Sequence, residues 1–168
     1  MIPSIVIMGV AGCGKSSLGL AVAIAAGLRL LEGDDYHSPQ SKAKMSQGVA
    51  LLDADRDGWL SLLADELRSH TGGLVLTCSA LKKSYRDRLR QASPGLRFVY
   101  LEISREQAQL RVEARAAQHF FSTSLVDSQF ATLESPLGEP GVLGVDACAP
   151  LAKLQAQVSA WMTNKETA

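Results

Sequence analysis

The stretch Ile5-Val6-Ile7-Met8-Gly9-Val10-Ala11-Gly12-Cys13-Gly14-Lys15-Ser16 decides the fold. Its first four residues are apolar and do not alternate with polar ones, the pattern of a strand buried on both faces of a parallel sheet. The next eight match G-x-x-x-x-G-K-[ST], and residues 15–26 continue as a helix rich in Ala, Leu and Val, apolar nearly all round and so expected to pack into the core. A polyphosphate needs many converging N–H donors with no side chains in the way. Glycines let the backbone curl into such a nest at a helix N-terminus. Gly9 to Ser16 therefore reads as a nucleotide-phosphate site, with Lys15 reaching the β- and γ-phosphates and Ser16 holding Mg²⁺. A glycine-rich turn that binds nothing is the alternative, and the placement between strand and helix speaks against it.

Outward from this motif the chain alternates strand and helix. Strands are expected at Leu28–Leu31, Leu74–Cys78, Phe98–Leu101 and Val142–Val145, and helices at Asp57–Leu67, 80–91, Arg105–Arg115 and Leu151–Met162. The segment 34–52 is polar and broken by Pro39 and Gly48, which places it outside the sheet as loops and short helices, while His119 to Pro136 is mixed and aromatic. Such alternation implies an α/β fold: a parallel sheet of about five strands with helices on both faces. At 168 residues without a linker or repeat, one domain spanning 1–168 is expected.

Seventeen Lys and Arg balance seventeen Asp and Glu, so no global field draws the chain to nucleic acid or an anionic membrane, and any anion site must be local. The three cysteines, Cys13, Cys78 and Cys148, form no Cys-x-x-Cys pair, which suits a reducing compartment better than a metal or redox centre. Met1-Ile2-Pro3-Ser4 lacks the basic start of a signal peptide, and Leu18–Leu28, the longest uncharged apolar stretch, is too short to span a bilayer. A soluble cytoplasmic protein is expected.

Three further groups carry candidate chemistry. The second strand runs into Glu32-Gly33-Asp34-Asp35-Tyr36-His37, at a carboxyl end where ligands bind in open α/β sheets. There Asp34 or Asp35 would orient an acceptor hydroxyl and take its proton, unless the acids merely solvate a turn. Ser79, after the third strand, is either a hydroxyl donor or a helix N-cap. Lys82 and Arg86 are one helical turn apart and suit an anionic ligand or solvent equally. Arg111 and Arg115, also a turn apart, would lie over an adenine and reach phosphates from a lid at about 112–125, or simply face water.

These segments together resemble the bacterial-type gluconokinase family over nearly the whole chain. The resemblance rests on Met8-Gly9-Val10, Gly12 and Gly14-Lys15-Ser16; Gly33-Asp34 with His37; Lys44-Met45 with Gly48; Asp55-Arg56 with Trp59-Leu60; Cys78-Ser79-Ala80-Leu81-Lys82 with Tyr85-Arg86-Asp87; and His119-Phe120 with Gln129-Phe130 and Thr132-Leu133-Glu134. It implies a nucleoside-kinase-like P-loop fold of three layers with a small lid, in a cytoplasmic homodimer that transfers phosphate from ATP, with Mg²⁺, to the 6-hydroxyl of D-gluconate. Carried onto this sequence, it implies catalytic roles for Lys15, Asp34 and Arg115. Nucleotide contacts would come from Gly9, Val10, Ala11, Gly12, Cys13, Gly14, Lys15, Ser16, Arg111 and Arg115. Acceptor contacts would come from Asp34, His37 and Arg56 of an acceptor-binding segment at about 34–60, and from Ser79, Lys82, Arg86 and His119. The chain departs from the family's usual residues at Ser41, Ala50-Leu51-Leu52, Gly58 and Ala117-Gln118, where Asn, Pro-Leu-Asn, Pro and Lys-Gly are common. Kinases of shikimate or nucleosides, and a nucleotide-binding regulatory module without turnover, are the competing readings.

Overall fold

The structure is a computed structural model that describes residues 2–116 and 123–164. Five strands, β1 (Ile5–Met8), β2 (Arg29–Glu32), β3 (Leu74–Thr77), β4 (Arg97–Glu102) and β5 (Val142–Asp146), form one sheet in the order β2-β3-β1-β4-β5. Every pairing is parallel, with Val6 opposite Leu76 on one side of β1 and Phe98 on the other. Among the described residues seven α-helices connect and flank them: α1 (Lys15–Ala26), α2 (Pro39–Ser46), α3 (Asp53–Ser69), α4 (Lys83–Ala92), α5 (Arg105–Ala116), α6 (Ser124–Thr132) and α7 (Leu151–Thr163).

The period of two along each strand divides the core. Ile5, Ile7, Val75, Val99 and Leu101 pack with Leu18, Val22, Ala108, Leu154 and Val158 from α1, α5 and α7. Val6, Met8, Leu74, Leu76, Phe98 and Tyr100 pack with Trp59, Leu60, Leu63, Tyr85 and Leu89 from α3 and α4 on the opposite face. Both faces of the sheet are therefore covered, as the non-alternating apolar strands require. Within β4, Arg97 is buried and its guanidinium donates to the carbonyls of Trp161, Met162 and Asn164, satisfying the open C-terminal end of α7. Among the described residues no helix is long and apolar enough to cross a membrane.

Several expectations need correcting. Helix α1 is not enclosed all round, because Leu20 and Ile24 are 52% and 73% exposed and only the Leu18–Gly19–Val22–Ala23 side is buried. Helix α3 starts four residues before the expected Asp57, at Asp53, where the Asp55 carboxylate accepts from the backbone N–H of Leu52 at 2.9 Å. Helix α4 starts at Lys83 rather than 80, because Ala80 adopts a left-handed φ of 47° that no helix accommodates. Of the expected lid, α5 and the start of α6 are described; His119 and the Ala117-Gln118 departure lie outside the described residues.

Candidate active site

All the candidate segments open at the carboxyl edge of the sheet. There β1 sits between β3 and β4, the place where an open α/β sheet reverses strand order and leaves a crevice. A cavity of about 670 Å³ occupies it. The phosphate loop after β1 forms one wall, through Ala11, Gly12 and Gly14–Ser17. Gly12 has φ 81°, and a Cβ there would lie 2.9 Å from the carbonyl oxygen of Ala108, so the loop's curl and its approach to α5 both demand glycine. Gly9 and Val10 line neither cavity; they form the base of the loop, and their carbonyls accept from the Lys15 amine at 3.0 and 3.1 Å.

The opposite wall comes from the segment after β2, where Asp34, His37, Lys42 and Arg56 line the cavity together with Ser79. Gly33–Tyr36 is a single 3-10 turn. It is pinned by the Trp59 indole, which donates to the carbonyl of Gly33 at 2.7 Å, and by the Gly33 N–H, which donates to Thr77 Oγ1 at 3.3 Å. His37 stacks on Trp59 with centroids 4.3 Å apart, and its Nε2 lies 3.6 Å from Asp34 Oδ1. This fixes which acid faces the cleft: Asp34 lines it and Asp35 does not. Asp34 is itself open to the cleft, and its interaction with His37, aided by the charge of Lys15 and then of Lys42, holds its carboxyl below the ordinary range against desolvation by the surrounding wall, so the group is an anion at neutral pH.

Arg56 is buried at 8% exposure yet lines the cavity. Its one hydrogen bond among the described residues is from Nη1 to Tyr85 Oη at 3.4 Å, which leaves most of its planar donor set facing the cleft. Tyr85 in turn donates to Asp53, whose carboxylate also accepts from Lys82 Nζ at 2.9 Å. These bonds hold the Asp53 carboxyl below its ordinary range, the one from Tyr85 first.

Lys82 and Arg86 are both candidate acceptor ligands by sequence, and neither lines the cleft. Lys82 is committed to Asp53. Arg86 is fully buried, and all its N–H groups are used: Nη1 to the carbonyls of Ala80 and Leu81, Nη2 to the carbonyl of Glu134 and to Glu139 at 2.6 Å, and Nε to Glu139. It braces the turn that carries Ser79. That serine is no helix cap, since α4 begins four residues later. Cys78 beside it is buried, which pushes its thiol up to about 12 and makes it inert.

A second cavity of about 410 Å³ lies on the far side of the loop, between Cys13, Gly14, Ser17, Arg111, Ala147 and Leu151. Arg111 is oriented there by bonds to the carbonyls of Gly12 at 3.2 Å and Ala147 at 3.0 Å. Its apolar floor and the flat guanidinium suit an aromatic base. Arg115 lines both cavities, the position from which one cation reaches phosphates lying between them.

Three residues are not singled out by their sequence context. Glu32, the last residue of β2, accepts from Ser16 Oγ at 3.0 Å and from Thr77 Oγ1, so two oxygen donors suited to a hard cation stand beside the phosphate loop. Lys42 adds a cation to the acceptor wall. Gln129 of α6 accepts from the Ala11 N–H at 2.6 Å. Glu32 and Gln129 fall within motifs already quoted, but only the folded arrangement aims them at the loop.

The AAA domain family matches residues 5–140. A gluconokinase of Gluconobacter oxydans is 42% identical over 84% of this chain and 80% of its own length. The thermoresistant gluconokinase of Escherichia coli is 41% identical over 87% and 85%. Among solved structures, a gluconokinase from Sinorhizobium meliloti superposes with a TM-score of 0.88 at 44% identity, covering 96% of this chain and 91% of that one. A deoxyadenosine kinase of Mycoplasma mycoides, 13% identical with a TM-score of 0.66, shares the fold.

Proposed function

This chain belongs to the gluconokinase family, and from that premise we propose that its cleft moves the γ-phosphoryl of ATP onto the 6-hydroxyl of D-gluconate, giving 6-phospho-D-gluconate and ADP. One observation carries the reading: a single cavity joins Lys15 and Ser16 of the phosphate loop to the carboxylate of Asp34 and the part-free guanidinium of Arg56.

Each wall has a task in the transfer. The adenine occupies the Arg111 cavity and the triphosphate follows the loop N–H groups toward Asp34. Lys15 and Arg115 offset the charge on the transferring phosphoryl. Asp34, already anionic, accepts a hydrogen bond from the acceptor hydroxyl, aims its oxygen at the γ-phosphorus and takes the proton as the new P–O bond forms. Arg56 grips the carboxylate at the other end of the sugar acid with parallel hydrogen bonds, while Ser79 and His37 meet hydroxyls between. Ser16 and Glu32 are the residues that would hold Mg²⁺, which supplies charge neutralisation on the phosphates when bound. His119, outside the described residues, is carried into the proposal as a further acceptor contact. A single cytoplasmic domain acting as a homodimer, with no nucleic-acid or membrane partner, completes the proposal.

A coupled ADP-release assay with gluconate, other sugar acids, shikimate and deoxyadenosine tests it. Turnover with gluconate should exceed every other acceptor, and Lys15→Ala should abolish it with the circular dichroism unchanged. ADP release independent of gluconate would point instead to another acceptor or to a regulatory module.

A further inference from the structure

Gln129 on α6 and Ala11 in the phosphate loop are 118 residues apart in sequence and joined by a hydrogen bond of 2.6 Å. Because Ala11 offers an N–H, the side-chain atom facing it is the carbonyl oxygen Oε1, and the NH₂ end of the carboxamide points away from the loop backbone. Among the described residues Nε2 has no hydrogen-bond partner, yet it is absent from the buried polar atoms left unpaired, and Gln129 lines the large cavity. The two N–H groups of Nε2 are thus open to the cleft.

Their position along the cleft gives them a use. Gly14 and Ser17 line both cavities, Cys13 lines the base-binding one alone, and Ala11 and Gly12 line only the cavity that also holds Asp34 and Arg56. Ala11 therefore marks the acceptor end of the phosphate loop, where the last phosphate of a triphosphate meets the acceptor and where a diphosphate has no group. A neutral carboxamide anchored there by its oxygen presents donors to phosphoryl oxygens without bringing a charge of its own.

We infer that Gln129 is a γ-phosphoryl-contacting residue, its Nε2 donating to the phosphoryl group in transfer while its Oε1 is held by the Ala11 N–H. The inference rests on the kinase reading for the direction in which the nucleotide lies. Its consequence is selective: Gln129 distinguishes ATP from ADP and takes no part in holding the base or the α- and β-phosphates.

The test is equilibrium binding of ADP and of a non-hydrolysable ATP analogue, both with Mg²⁺, to the full chain and to two variants. Gln129→Glu keeps an oxygen for Ala11 and turns the donor into an anion; Gln129→Met keeps the length and removes both polar atoms. ADP affinity should stay within about twofold of wild type in both, while the analogue weakens at least ~10-fold in each, the size expected for loss of a hydrogen bond to a charged group. Equal weakening of both nucleotides would reduce Gln129 to a tether between α6 and the loop and overturn the inference, as would no change in either. Should Gln129→Glu fail to fold, the Gln129→Met pair of affinities decides alone. Neither measurement involves an acceptor, so a wild-type protein inactive on gluconate would sink the gluconate assignment and leave this result standing.

Discussion

The Arg86 guanidinium holds the carbonyl oxygen of Ala80 at 2.7 Å, and Ala80 is the one described non-glycine residue with a left-handed φ. A left-handed residue with a Cβ is unfavourable by roughly 1–2 kcal/mol. Here the turn presents Ser79 to the cleft, and Arg86 secures it from behind while pairing with Glu139.

Arg86→Ala would leave the largely buried Glu139 without its closest partner and release the Ser79 turn. Arg90 would still pair with Glu139 at 2.8 Å, so the expected loss is toward the low end of that for breaking a buried ion pair, about 3 kcal/mol. Urea denaturation measures it. Glu139→Gln should cost less, because Arg86 would keep its three carbonyl acceptors. Equal midpoints for Arg86→Ala and wild type would show that the brace contributes nothing.

Asp34→Asn should lower the turnover number far more than the affinity for ATP, and Asp35→Asn should leave both near wild type, since only the former faces the cleft. The pH dependence has a definite sign. His37 and Lys15 depress the Asp34 pKa, so its proton returns only below the ordinary aspartate range, and its contribution to stability is present above that range and lost as pH falls through the depressed value. A carbon-13 titration of the carboxyl checks it, and a midpoint at or above that of an unperturbed aspartate would contradict the geometry.

Arg56→Lys keeps the charge but not the fork, and the lysine stem would leave Tyr85 Oη without its guanidinium partner. The KM for gluconate should rise at least ~10-fold, or about 1.4 kcal/mol, with the KM for ATP little changed. Steady-state kinetics in both substrates separates the two. Loss of ATP binding instead would move Arg56 to the nucleotide side.

Helix α3 offers two stabilising changes. Leu52 stands at its N-cap with an exposed side chain that cannot accept a hydrogen bond, so Leu52→Asn should add about 1 kcal/mol. Gly58 lies within the same helix, and a Cβ added there would meet nothing within 4 Å, so Gly58→Ala should add about 0.5–1 kcal/mol. Thermal melts of the single and double variants test both signs and their additivity.

The sheet and the phosphate loop are legible in the sequence because local chemistry marks them. Helix α1 runs from Lys15 to Ala26 as its composition suggests, with Gly14 before it and a left-handed Gly27 closing it. Helix α3 reads short because Leu52 gives no capping signal, and α4 reads long because nothing in Ser79-Ala80-Leu81 announces a left-handed alanine. Helical spacing puts Lys82 and Arg86 on one face but cannot tell that Glu134 and Glu139 return from a distant segment to cover Arg86. Likewise the choice between Asp34 and Asp35 depends on how Trp59, from another helix, fastens the turn. Contacts between segments far apart in sequence decide each of these.

The packing of Gly33 reaches beyond this reaction. A Cβ at that position would fall 2.2 Å from the carbonyl oxygen of Thr77, so main chain rests directly on main chain where β2 ends beside β3. The aspartate that follows is therefore registered to the scaffold by backbone contact at Gly33 as well as by the Trp59 and Thr77 side chains that fasten the turn. For anyone redesigning the acceptor preference, the wall from Ser38 to Arg56 is the part to vary, while Gly33, with the His37 and Trp59 side chains that fasten the turn, is to be left untouched so that the reacting carboxylate keeps its place.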